Sequence, residues 1–161
     1  MTKLNYNKQL LLVGLIFSLH NTEETIGFSH FVYASAFPFQ TPSSSAMTTS
    51  IVLVTLIAWG VILWAFRQPA TTVKRNILTA FTSVFLFNAF IPHITGAIAL
   101  HRYVPGVITA VLLFLPYSFW LMPRLYHSYA AGKWFYTVAG IGLGISGVIV
   151  VILQVVANLC F

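Results

Sequence analysis

The sequence predicts an all-α fold, a polytopic membrane bundle of five transmembrane helices that forms one domain over residues 1–161. Three observations carry this expectation. The chain is 58% hydrophobic and only 6% charged, with a mean hydropathy of +0.89, whereas a soluble domain needs about 25% charged residues to cover its surface. Its apolar residues gather into runs of about 20, the length at which a helix crosses a hydrocarbon core. Its basic residues fall at the ends of those runs or between them, all but one on the same side. A soluble globule is excluded by the shortage of charge, and a disordered chain by the excess of apolar side chains. Strand alternation is absent, which speaks against a barrel.

The first span covers about 8–29, opening on Leu10-Leu11-Leu12-Val13 and turning polar after Leu19. The second covers about 47–66, the third about 76–99, the fourth about 104–122 and the fifth about 134–158. The third is uncharged yet holds Asn88 and His93, and Pro92 predicts a kink there because it removes a backbone hydrogen bond. Pro105-Gly106 sets a sharp start to the fourth. Trp64 and Trp134 stand near span ends as interfacial anchors, and Trp59 is expected to pack deeper.

Orientation follows from the cations. Lys3 and Lys8 precede span one, Arg67, Lys74 and Arg75 separate spans two and three, and Arg124 and Lys133 separate spans four and five. Only Arg102 falls on the other side. The positive-inside rule then places the N-terminus in the cytoplasm and the C-terminus outside, in a multi-pass protein of the cell membrane. The net charge of +6 is therefore membrane-orienting, and no nucleic-acid partner is expected. A cleaved signal peptide ending at Ala34-Ser35-Ala36 is disfavoured, since the gap from the apolar run is too long and holds two glutamates. The single cysteine, Cys160, forms no internal disulfide and no cysteine-based metal knuckle.

The acids are two, Glu23 and Glu24, adjacent and inside span one. His20 stands three and four residues before them, so both can approach its face. Burying an ionisable group in a bilayer costs several kcal/mol unless it is paired, neutralised or hydrated. At about 1.5 Å per residue, the pair lies roughly 23 Å above the inner end of span one, with Asn88 and His93 roughly 18 and 26 Å up span three. His101, Arg102 and Tyr103 mark the outer mouth, and Thr109 lies one turn into span four. Polar residues from separate spans thus converge at one level in the outer half of the bilayer. On a regular helix Asn88 and His93 would point about 140° apart, which the kink at Pro92 is expected to correct.

His20-Asn21-Thr22-Glu23-Glu24 spells HxxEE, Asn88-Ala89 with His93 is similar to an NAxxH segment carrying one extra residue, and Tyr103-Val104-Pro105-Gly106 spells YxPG. In this order, within hydrophobic spans, the set resembles the HXXEE-domain family of small integral membrane proteins, from about Leu12 to Pro116. The resemblance implies a membrane enzyme and carries no particular reaction.

The plainer reading of His20, Glu23 and Glu24 is a polar knot between helices. Such contacts average under about 1 kcal/mol in membranes, too little to offset the burial of two acids. The leading expectation is a metal-dependent membrane enzyme, hydrolysis favoured, acting on a lipophilic or membrane-tethered, lipid-like substrate reached from the bilayer. His20, Glu23 or Glu24, His93 and also His101 are the candidate ligands for a divalent ion, Zn²⁺ or Fe²⁺. The remaining glutamate would serve as general base toward a water that the ion acidifies, while Asn88 and Tyr103 would orient a ligand or polarise a carbonyl. A metal-free acid–base version is the variant of this reading. The alternatives are a proton or metal-ion transport or binding protein and a haem-binding protein with His20 and His93 as axial ligands. His30 shares Glu23's face if the helix continues, and His127 falls on the cytoplasmic side. Gly142-Leu143-Gly144-Ile145-Ser146-Gly147 spells GxGxxG but lies within span five with no preceding strand; Gly140 and Gly144 read better as a helix-packing groove. Ser43-Ser44-Ser45 reads as loop.

Overall fold

The computed structural model describes residues 4–28 and 44–160, with side chains described as far as residue 148. Lys3, His30, Ala34-Ser35-Ala36 and Ser43 lie outside the described residues. The described chain is all-α, with no strand among the described residues: α1 Tyr6–Phe28, α2 Ser44–Arg67, α3 Thr71–Leu100, α4 Val107–Tyr126 and α5 Gly132–Cys160. Ser44 and Ser45, read as loop in the sequence, open α2.

Three of these helices, α2, α3 and α4, are long and apolar enough to cross a membrane. That is fewer than the five expected. The polar run from His20 to Thr25 lowers the mean hydropathy of α1, and the described side chains of α5 end partway along it.

The α3 helix is the hub. It packs most extensively on α5 and also meets α1, α4 and α2, while α1 lies along α2. The core is aliphatic at one end, with Leu10, Val13, Ile62, Leu78, Leu121 and Leu125 fully buried. Towards the other end it becomes aromatic. Phe85 and Phe114 stack with centroids 3.9 Å apart, and Phe17 stacks on Phe85 at 6.2 Å. Trp59 packs inward as expected, its indole N–H donating to Ser18 Oγ at 2.9 Å. The expected glycine groove is elsewhere than at Gly140 and Gly144, where a side chain would meet open space. It is Gly142 that lies against α3, where a Cβ would come within 2.6 Å of the Ala80 carbonyl oxygen.

The cationic helix ends are tied together at one end of the bundle. Lys74 donates to Asn7 Oδ1 at 2.6 Å, and Arg75 donates to the Ser128 carbonyl at 2.7 Å while lying over the Tyr129 ring. Tyr129 in turn donates to Asn76 Oδ1.

The opposite end is built on two wide turns. In α3 the expected kink takes the form of a π-helical turn, Ala89–Ile94, with Pro92 inside it. In α4 a second π turn spans Ala110–Phe114. A π turn closes i→i+5 hydrogen bonds, so it absorbs one extra residue and narrows the angle between residues five apart. That is how the additional residue between Ala89 and His93 is accommodated, with Asn88 and His93 both facing α1. The connection from α3 to α4 turns on His101, with φ 50, and on Gly106, with φ 87.

Candidate functional site

The helix α1 brings His20, Glu23 and Glu24 to the face it shares with α3 and α4, and there the two glutamates separate. Glu24 Oε1 lies 3.7 Å from His20 Nε2 and 3.4 Å from His93 Nε2. One ligand atom from each of His20, Glu24 and His93 lies within 4.8 Å of the others. Both imidazoles are buried, and their rings meet edge to face at 4.7 Å. Phe114 closes the floor, its centroid 4.2 Å from that of His20. The Pro105 backbone lies against the His93 ring and Glu24 Oε1 faces its Nε2, but neither ring nitrogen makes a hydrogen bond of good geometry among the described residues, so the buried imidazole can engage a further partner. A group of two imidazoles and one carboxylate is a donor set that could hold a metal ion.

Glu23 goes elsewhere. Its Oε1 accepts from the Tyr103 hydroxyl at 2.9 Å and from the Ile108 backbone N–H at 3.1 Å. Its Oε2 accepts from the Thr109 N–H at 2.7 Å and from the Thr109 hydroxyl at 2.6 Å. These amides are the unpaired donors at the start of α4, and a carboxylate there also complements the helix dipole. The neighbouring amides are met by backbone: Val107 N–H donates to the Val104 carbonyl and Ala110 N–H to that of Gly106. Glu23 is thus the cap of α4, and its four acceptor positions are filled.

Gly106 decides how closely the parts approach. A Cβ there would stand 2.5 Å from His93 Cε1 and 2.9 Å from His20 Cε1, and its left-handed backbone also favours glycine. Asn88 joins from α3, its Nδ2 3.1 Å from His20 Nε2. Thr109 contacts the other side of the same ring, its Oγ1 2.8 Å from His20 Nδ1.

The structure therefore brings His20, Glu24, His93 and Asn88 together and leaves His101 out. His101 is exposed, in the left-handed turn that ends α3, and is not part of the three-residue group. Tyr103 is 44% exposed and touches Glu23. Burial first, and then the hydrogen bond to that carboxylate, pushes its phenol up to about 12. His127 is exposed at the far end of the bundle, beside Tyr126. Thr109 and Gly106 were not among the sequence candidates for the site. Thr109's level, one turn into α4, and Gly106's place in the YxPG segment were the available signals.

An uncharacterized protein of Bacillus subtilis (strain 168), YrkK, is 27% identical over 100 residues, which cover 62% of this chain and 63% of that protein. The chain thus spans less than two thirds of the length of that relative. No solved structure matches it. The family model described as "Protein of unknown function with HXXEE motif" matches residues 11–121, a stretch that holds every residue of the site, and the chain belongs to this HXXEE family.

Proposed function

We propose that this chain is a multi-pass enzyme of the cell membrane, metal-dependent, that hydrolyses a lipophilic or membrane-tethered substrate at the His20–Glu24–His93 group. In this reading all five helices cross the bilayer, with the N-terminus in the cytoplasm, the C-terminus outside and the site in the outer half. The cations gathered at one end of the bundle and the two acids near the other support that orientation.

One observation carries the reading: two buried imidazoles and a carboxylate converge within 4.8 Å. Donors held about 2.0–2.2 Å from a tetrahedral ion stand roughly 3.4 Å from one another. The separations of Glu24 Oε1 from the two imidazole nitrogens, 3.4 and 3.7 Å, fit this. His20 Nε2, His93 and Glu24 would hold Zn²⁺ or Fe²⁺, which when bound supplies a Lewis acid and an acidified water. Glu24 Oε2 is the carboxylate oxygen left to take a proton, because Glu23 is filled by its four donors. Asn88 Nδ2 stands at the rim of the group as a donor for a carbonyl oxygen.

The aromatic stack of Phe114, Phe85 and Phe17 beneath His20 interposes apolar rings where a transporter would need a polar relay. The edge-to-face contact of the two imidazoles leaves no gap for a haem macrocycle between them. Elemental analysis of purified wild type beside His20→Ala, Glu24→Gln and His93→Ala tests the proposal. It expects about one ion per chain in wild type and loss in each variant; wild type free of metal in every preparation overturns it.

A further inference from the structure

The other glutamate has a chemical role in the same group. The Thr109 hydroxyl lies between Glu23 Oε2 at 2.6 Å and His20 Nδ1 at 2.8 Å. A hydroxyl has one proton to give and lone pairs with which to receive. Glu23 already takes a backbone N–H on each oxygen and the Tyr103 hydroxyl on one of them. A carboxylate surrounded by donors is acceptor-only, so the proton in the short Thr109–Glu23 contact is the threonine's. The Thr109 oxygen can then only accept from His20, which puts the imidazole proton on Nδ1. The ring's other nitrogen, Nε2, is left with its lone pair facing Glu24, and the Asn88 amide N–H beside it donates to that lone pair in the absence of an ion.

We infer that Glu23 and Thr109 form a positioning relay that fixes His20 as the Nδ1–H tautomer and turns Nε2 toward the Glu24–His93 group. This deepens the metal-site reading and rests on it for its consequence, although not for its geometry. The arrangement is that of a ligating histidine whose second nitrogen is held by a carboxylate, with a threonine hydroxyl interposed. It also accounts for the adjacent acids: Glu24 faces the group, and Glu23 works on it from behind.

The test uses the full chain in detergent, its histidine side chains labelled with ¹⁵N, first without metal and then titrated with Zn²⁺. Metal-free wild type should show His20 as the Nδ1–H tautomer, as should Thr109→Ser. Thr109→Val, nearly the same shape, should show a mixture of tautomers and bind Zn²⁺ about 10–100-fold more weakly. An Nε2–H tautomer in wild type overturns the relay whether or not metal binds. So does a Thr109→Val protein with both tautomer and affinity unchanged. Wild type with the Nδ1–H tautomer but no affinity for Zn²⁺ supports the relay and overturns the metal reading instead. Should Thr109→Val fail to fold, the wild-type and Thr109→Ser spectra still decide the tautomer.

Discussion

Glu24 Oε1 lies 3.4 Å from His93 Nε2, joining the polar end of the first helix to a wide turn in the third. The contact depends on features of very different kinds: the i,i+4 spacing from His20, the extra residue before His93, and the absence of a side chain at Gly106. Each can be changed separately.

Gly106→Ala should be among the most damaging small substitutions. Its Cβ would fall 2.5 Å from His93 Cε1, and alanine in the left-handed region costs about 1–2 kcal/mol before any clash. His93 would have to leave the group. Thermal unfolding in detergent should shift downward, and Zn²⁺ uptake should drop even in the fraction that remains folded. Unchanged uptake would show that His93 is not a ligand.

Deleting Ile91, which is 55% exposed, should be better tolerated than its place in a helix suggests. The π turn would relax to a regular α-helix with Asn88 and His93 four apart, about 40° from each other. Metal stoichiometry should stay near that of wild type. Inserting an alanine after Ile91 should abolish it, because the histidine would rotate by about 100°. Equal loss in both variants would contradict the role given to the wide turn.

Gly142→Leu should separate α5 from α3, since the clash is with the backbone of Ala80 rather than with a movable side chain. Overpacking of this kind costs about 1–3 kcal/mol. Gly144→Leu, pointing into open space, is the matched control and should melt like wild type.

Tyr103 gives an alkaline signature. Its phenol is pushed from an ordinary value near 10 up to about 12, so the folded protein holds that proton more tightly than the unfolded chain does. Its contribution to stability is therefore complete below about pH 10 and is lost as pH rises through 12. The difference in tyrosinate absorbance between wild type and Tyr103→Phe should show one phenol ionising near 12. A phenol titrating near 10 would mean that the Glu23 contact does not form in solution.

Much of this arrangement could be read from the chain alone. The helical content was plain from the apolar runs, and the convergence of His20, the glutamate pair and His93 at one level followed from counting residues up each helix. The separate fates of Glu23 and Glu24 did not follow. They differ by one residue, and which of them caps α4 is decided by where Thr109 and Ile108 come to rest. Ridge packing at Gly142 rather than Gly140 likewise depends on the rotation of α5 against α3, which a glycine pattern does not set. The expected place for His101 in the ligand set failed for a local reason: the left-handed turn at that residue ends α3 and leaves the side chain exposed.

Because a side chain from α1 completes the first turn of α4, the two helices are not separable modules. A fragment starting at Ser44, produced alone, would begin α4 with bare amides and should fray there, becoming a substrate for proteases. Supplying residues 1–28 as a second chain should restore protection at that point, whereas the same peptide with Glu23→Ala should not.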